Sequence, residues 1–172
     1  MLSAEERQVG VTHLDGNQRL PFPKLIPLDG KPLALAVGKL RADAKPILAV
    51  IVDQDGRRSL VTRTADGKSR VQKLSENFKS NPSALAFHDV NQDGLMDLVV
   101  LIPYEKVKVL LQRTEASDQE KERFEEIDVA PPGGVIEQPW LTTADIDGDG
   151  KPELLLAQKN LAKNQSHAGL VS

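Results

Sequence analysis

Two nine-residue segments, 89–97 (DVNQDGLMD) and 145–153 (DIDGDGKPE), have oxygen-bearing side chains at positions 1, 3, 5 and 9. Calcium prefers six to eight oxygen ligands at about 2.3–2.6 Å, and this spacing supplies most of them from one short loop. A glycine at position 6 permits the sharp turn around an ion, and position 7 can add a backbone carbonyl. The segments therefore predict two calcium sites. The predicted ligands are Asp89, Asn91, Asp93, Leu95 and Asp97 in the first, and Asp145, Asp147, Asp149, Lys151 and Glu153 in the second.

Other uses of this spacing fit less well. An EF-hand needs a bidentate Glu at position 12 and flanking helices, whereas position 12 is Val100 or Leu156 and apolar runs follow both segments. Zinc and copper are not indicated, because the chain has no cysteine and its three histidines are scattered. An Asp/Gly-rich turn without an ion remains an alternative. Residues 52–56 (VDQDG) are predicted to be such a turn, since Ile51 and Ser59 fall at positions 1 and 9.

Apolar residues occur in runs of four to six, bounded by Gly, Asp and Pro, which indicates strands rather than helices. Asp-Gly pairs between such runs predict tight hairpin turns, because glycine accepts a positive φ. The runs that flank the two segments are 84–87 and 98–102 for the first, and 141–144 and 154–157 for the second; the Asp-Gly pairs stand at 15–16, 55–56 and 66–67.

The strand pattern repeats at about fifty residues. A shift of 51 residues places 33–36 on 84–87, and the two acidic segments lie 56 residues apart. Four short strands per unit at this period are typical of propeller blades. The predicted strands are 33–38, 46–52, 58–64 and 69–75 in one unit, and 84–89, 97–102, 107–113 and 123–129 in the next. Residues 113–127 are predicted as a long hairpin loop, in preference to a helical turn.

The expected fold is all-β, with blades of four antiparallel strands and about three blades in total. The prediction is a single partial β-propeller domain over 1–172, in which 1–30 holds the last two strands of a blade. Whole blades follow at 31–80 and 81–135, and a partial blade at 136–172. Since propellers need four to eight blades, the ring is completed by sequence outside this chain or by other chains.

The first whole unit has lost the ligands. Its equivalent segment is 38–46 (GKLRADAKP), with Gly38, Leu40, Ala42 and Pro46 at the four ligand positions. The flanking strands are nevertheless retained. The loop therefore has a scaffold role that does not require an ion.

This pattern resembles the FG-GAP/VCBS repeats, the calcium-containing blades of integrin-α-like β-propellers. The resemblance lies in 84–101 (ALAFHDVNQDGLMDLVVL) and 141–157 (LTTADIDGDGKPELLLA), with 33–50 as a degenerate copy. It implies two structural Ca²⁺ ions that tie the first strand of a blade to the second. The ions, which add four charges, would change the formal net charge from −3 to +1. The resemblance also implies an extracytoplasmic, periplasmic or secreted, location.

The composition of the chain argues against nucleic acid and membrane as partners. A net charge of −3 lacks the basic footprint of a nucleic-acid binder. No run approaches the roughly 20 apolar residues of a membrane helix, and 1–10 (MLSAEERQVG) is not a signal peptide. The expected partner is therefore an unidentified protein or glycan, with self-assembly as a further possibility if the chain is complete.

No set of residues typical of catalysis occurs, so the chain is expected to be a binding or protein-interaction scaffold rather than an enzyme. The alternative is a lectin-like or polysaccharide-lyase propeller segment. Tyr104 and Trp140 could stack on a sugar ring, but packing inside the protein is the expected role.

Overall fold

A computed structural model describes residues 2–75, 80–113, 123–129, 136, 140–160 and 165–171. All elements in these residues are β-strands, and they form four antiparallel sheets. Sheet I contains β1 (Leu2–Ser3), β2 (Gln8–Val11) and β3 (Lys24–Pro27). Sheet II contains β4 (Lys31–Gly38), β5 (Ile47–Gln54), β6 (Arg57–Thr64) and β7 (Ser69–Lys73). Sheet III contains β8 (Ala84–His88), β9 (Asp97–Ile102), β10 (Lys106–Gln112) and β11 (Phe124–Val129). Sheet IV contains β12 (Leu141–Ala144), β13 (Glu153–Asn160) and β14 (Gln165–Val171).

The strands of each sheet are hydrogen-bonded in the order in which they follow along the chain. This up-and-down arrangement confirms the prediction of an all-β chain of propeller-like blades. The eight predicted strands of the two central sheets agree with the structure to within two residues at each end. Sheet I differs from expectation, because it has three strands instead of two. The additional strand is Leu2–Ser3, which pairs with Val9 and Gln8. Because it is only two residues long, it contains no apolar run from which a strand could be predicted.

The sheets stack face to face through their second strands. Alternate side chains of a strand point to opposite faces, and both faces of β5 and β9 are covered. Ala49 and Ile51 of β5 pack toward sheet III, whereas Val50 and Val52 pack against Val9 of sheet I. In β9 the even-numbered apolar residues face sheet II, and the odd-numbered ones face sheet IV. Burial on two faces explains why both strands are uninterrupted apolar runs.

The first strands of the sheets lie side by side. β8 contacts β4 on one side and β12 on the other. These strands contain the small residues Ala34, Ala36, Ala84 and Ala86, which allow neighbouring sheets to approach closely. The loops that follow β4, β8 and β12 lie at the same end of the sheets, since Arg41 forms a bridge with Leu95 and Lys151 is hydrogen-bonded to Gln92.

The predicted hairpin turns are found in two of three cases. Asp55 and Gly56 have φ values of 54° and 81° and join β5 to β6, which confirms that 52–56 is a turn. Gly67 has a φ of 91° in the β6–β7 turn. Asp15-Gly16 also forms a tight turn, closed by hydrogen bonds from Gln18 N–H to the Asp15 carbonyl and from Asp15 N–H to the Arg19 carbonyl, but this turn lies in the long connection between β2 and β3 and does not join two strands directly. No helix in the described residues is long and apolar enough to cross a membrane.

Candidate metal centre

Each acidic segment forms the loop between the first two strands of a sheet. In sheet III His88 pairs with Asp97, and in sheet IV Ala144 pairs with Glu153. Antiparallel pairing thus brings position 9 of each loop opposite the residue that precedes position 1. Because the strands close the loop, the first and last predicted ligands are brought to the same place.

The two loops share four hydrogen bonds. The position-9 carboxylate accepts the N–H of position 2, Val90 or Ile146, at 2.9 Å in both loops. The position-1 carboxylate accepts the N–H of the position-6 glycine, also at 2.9 Å in both. Position 5 accepts from position 7, and position 3 accepts from position 5. These bonds draw the carboxyl groups inward and leave further oxygen lone pairs on each.

The carboxylates of the second loop converge. Asp145, Asp147 and Asp149 each present an oxygen atom within 4.8 Å of those of the other two, and all three side chains are exposed. In the first loop Asn91 takes the place of Asp147, and its Nδ2 donates to Asp93 at 3.0 Å. Both donor sets consist of oxygen, which suits calcium.

Asp97 is a fully buried carboxylate at 0% exposure. Its oxygens accept hydrogen bonds from Gln112 N–H at 2.8 Å and Val90 N–H at 2.9 Å. Burial raises the pKa of Asp97; these backbone hydrogen bonds oppose the rise, whereas the Asp93 and Asp89 carboxylates add to it. Among the described residues no lysine or arginine forms an ion pair with Asp97. A buried carboxyl group of this kind favours a bound cation.

His88 adjoins the first loop but does not provide that cation. Burial lowers its pKa, and this effect outweighs the attraction of Asp89, Asp97 and Glu153. The imidazole is therefore neutral at pH 7.

The hydrogen bond from Gln112 N–H to Asp97 comes from β10, outside the loop. The sequence of the loop does not predict it.

The chain reverses at positions 4 and 6. Gly94 and Gly150 have φ values of 84° and 87°, as the turn around an ion requires. Position 4 is also left-handed, with φ values of 58° at Gln92 and 80° at Gly148. This second reversal was not predicted, although the glycine at 148 is a signal for it.

The loops contact one another across the sheets. Lys151 Nζ donates to Gln92 Oε1 at 3.1 Å, which joins the two acidic loops. Leu95 is buried and its backbone forms a bridge with Arg41 of the loop 38–46, beside a hydrogen bond from Met96 N–H to the Leu40 carbonyl. The side chains of both position-7 residues are thus directed elsewhere, and each offers only its backbone carbonyl to an ion.

Comparison with protein families identifies an FG-GAP-like repeat at residues 89–156. The matched stretch begins at position 1 of the first loop and ends in β13, so it includes both loops and the strands between them. The resemblance predicted from the two loops is confirmed for these residues. Searches of curated proteins and of solved structures found no significant match.

Proposed function

Because residues 89–156 contain an FG-GAP-like repeat, we propose that this protein is a calcium-stabilised β-propeller module that serves as a binding scaffold. The loops 89–97 and 145–153 each hold one structural Ca²⁺ ion. The observation that carries the proposal is the convergence of Asp145, Asp147 and Asp149, whose oxygen atoms lie within 4.8 Å of one another. Carboxylates this close repel unless a cation stands between them.

The first loop supports the proposal independently. Asp97 is fully buried beside two further carboxylates, Asp89 and Asp93. When bound, Ca²⁺ would offset two of these three charges and join the end of β8 to the start of β9. Sheet III would then gain rigidity where its first two strands, β8 and β9, meet. Such a role requires a compartment in which free calcium is high, so we place the module in the periplasm or outside the cell.

Calcium-dependent unfolding tests this part of the proposal. At a calcium concentration of 100 Kd each site adds about 2.7 kcal/mol, so the melting temperature should rise by roughly 5–10 °C per site and fall with EDTA. The pair Asp145→Ala with Asp149→Ala removes the response of the second site. Asp29→Ala with Asp43→Ala removes two exposed carboxylates outside the two acidic loops 89–97 and 145–153 and is the matched control. Equal melting temperatures with calcium and with EDTA would contradict the proposal.

The four sheets form a stack in which sheets I and IV are outermost, and a closed propeller ring needs further blades beyond them. We infer that these come from sequence beyond this chain or from further copies of it. Light scattering in calcium distinguishes the two: a mass that is a multiple of 18.8 kDa indicates assembly of copies, and a stable monomer excludes it.

A glycan is the second candidate ligand, and the exposure of two aromatic side chains favours it. Tyr104 and Trp140 are 67% and 66% exposed, so the expectation that they pack inside the protein is wrong. Exposed aromatic faces can stack on sugar rings. A glycan array with the native chain and with Trp140→Ala and Tyr104→Ala tests this candidate; a signal that both variants retain would exclude a stacking role.

A further inference from the structure

The chain contains seven Asp-Gly pairs, a dipeptide in which the aspartate side chain can react with the backbone. The glycine nitrogen is accessible to that side chain because glycine has no Cβ atom to shield it. Three pairs lie in the acidic loops 89–97 and 145–153. The seven pairs begin at Asp15, Asp29, Asp55, Asp66, Asp93, Asp147 and Asp149. A pair can react only when its carboxyl group and its glycine nitrogen are free to meet.

The glycine N–H groups of the acidic loops are all engaged. Gly94 N–H donates to the Asp89 carboxylate at 2.9 Å. Gly148 and Gly150 N–H both donate to the Asp145 carboxylate, at 2.7 Å and 2.9 Å. Hydrogen bonds to an ionised acceptor are stronger than those between neutral groups. These bonds therefore hold each nitrogen away from the side chain of the aspartate that precedes it.

Three of the four pairs outside the acidic loops are restrained in other ways. Asp15 Oδ1 accepts hydrogen bonds from two backbone N–H groups, at 2.9 Å and 2.8 Å. Gly30 is buried, and a Cβ atom added to it would lie 2.7 Å from the Asp53 carbonyl oxygen, so the peptide has little room to rotate. Gly67 N–H donates to the Thr64 carbonyl at 3.0 Å.

Asp55-Gly56 differs from the other six pairs. Both residues are exposed. Among the residues that the structure describes, neither the Asp55 carboxylate nor Gly56 N–H takes part in a hydrogen bond or an ion pair. Asp55 also has a φ of 54°, a left-handed conformation that is unfavourable for a residue with a Cβ atom. Opening of this turn therefore relieves strain and breaks no contact of the two reacting groups.

We propose that Asp55 is a site of spontaneous isoaspartate formation. The Gly56 nitrogen loses its proton and attacks Cγ of Asp55; a C–N bond forms, a C–O bond breaks, and one water molecule leaves, which gives a five-membered succinimide. Water then adds to one of the two ring carbonyls. Addition at Cγ restores aspartate, whereas addition at the main-chain carbonyl gives isoaspartate. The mass of the protein is unchanged, and no oxidant is required.

Isoaspartate lengthens the backbone by one atom, because the chain then runs through Cβ and Cγ. Gln54 pairs with Arg57 directly across the turn, so only two residues join β5 to β6. Turns of this length fit a narrow range of backbone geometry. Both strands lie in the middle of sheet II. The modification should therefore loosen the end of the β5–β6 hairpin and lower the melting temperature.

Ageing of the folded native chain at neutral pH, followed by tryptic digestion and electron-transfer mass spectrometry, tests this site. Isoaspartate should accumulate at Asp55 roughly tenfold or more faster than in the acidic loops, where a hydrogen bond to a charged group must first break. Asp55→Glu should remove the product, since its longer side chain would have to close a six-membered ring. Asp55→Asn retains a dipeptide that suits this turn and should deamidate through the same succinimide, with loss of ammonia.

Asp89→Ala provides the converse test, because it removes the acceptor of Gly94 N–H and should allow isoaspartate to form at Asp93. Isoaspartate that is absent from Asp55, or no more frequent there than in the acidic loops, would overturn the proposal. An Asp89→Ala variant with Asp93 unchanged would overturn it as well. Because Asp55 lies outside the acidic loops, isoaspartate should form there both with calcium and with EDTA, so this result does not depend on the calcium sites.

Discussion

Phe87 of β8 packs directly over Gly38 at the end of β4, so that a Cβ atom added to Gly38 would lie 2.4 Å from Cδ2 of the ring. Gly38 occupies position 1 of the loop 38–46, where the other two loops have Asp89 and Asp145. The ring thus fills the space in which a ligand side chain at position 1 would begin. One repeat later, the counterpart of Phe87 is the smaller Thr143. The loss of chelation in this blade is accompanied by a packing contact with the next.

Gly38→Ala should therefore destabilise the protein. The new methyl group forces the ring or the strand to shift, and overpacking of this kind costs about 1–3 kcal/mol. Urea unfolding measures the loss. Gly16→Ala is the control, because a Cβ at Gly16 would have no neighbour within 4 Å. Gly38→Ala with Phe87→Leu should recover part of the loss, and a Gly38→Ala variant as stable as the native chain would contradict the packing argument.

The fold was predictable because its signals are local. Turn residues at Asp55-Gly56 and the apolar runs of β5 and β9 define strands whatever surrounds them. The short strand Leu2–Ser3 was missed, since pairing with β2 rather than its own composition makes it a strand. Asp15-Gly16 correctly indicated a turn, but the dipeptide alone does not show that the strands on either side end at Val11 and begin at Lys24.

The site was predictable only in part. The spacing within the loops identified the residues that form equivalent hydrogen bonds in the two loops, including Asp97 and Glu153 at position 9. It did not identify Gln112, whose N–H reaches Asp97 from a strand 15 residues away.

Gln72 should contribute strongly to the stability of the contact between sheets II and III. Its Nε2 donates to the Phe124 carbonyl at 2.7 Å, and its Oε1 accepts hydrogen bonds from Arg123 N–H and Phe124 N–H at 3.0 Å each. Gln72→Leu keeps the size but leaves these backbone groups without a partner side chain, and we expect a loss of about 3 kcal/mol. Hydrogen exchange at the Phe124 amide should accelerate with it. Lys73→Ala, at the exposed neighbouring position, should change neither quantity.

Glu126 should make the stability depend on pH. Burial raises the pKa of Glu126, but hydrogen bonds from Lys108 and Ser75 outweigh it, so the pKa lies below the usual 4.5. A lowered folded-state pKa contributes stability that is fully present above about pH 4.5 and is lost as pH falls through the folded value. The difference in unfolding free energy between the native chain and Glu126→Gln should therefore shrink as the pH falls below about 4.5.

The size of that difference follows from Lys108, whose side chain is only 3% exposed and lies 2.7 Å from Glu126. Glu126→Gln leaves this lysine buried without its closest carboxylate, which should cost roughly 3 kcal/mol at pH 7. Asp128→Asn removes a carboxylate that is 45% exposed, 3.4 Å from the same lysine, and should cost less than about 1 kcal/mol. Equal costs for the two variants would contradict a buried ion pair.

Lys151→Ala should leave the calcium response intact. The Lys151 side chain extends to Gln92 of the other loop, so position 7 can offer an ion only its backbone carbonyl, which alanine retains. Loss of one exposed hydrogen bond should change stability by less than about 0.5 kcal/mol. Removal of a positive charge from the acidic loop should also tighten calcium binding slightly.

A calcium titration followed by melting temperature compares Lys151→Ala with Asp149→Ala. The second variant removes a predicted ligand and should lose the response of the second site. A Lys151→Ala variant that also loses it would show that the side chain, and with it the contact between the loops, is needed to form the site.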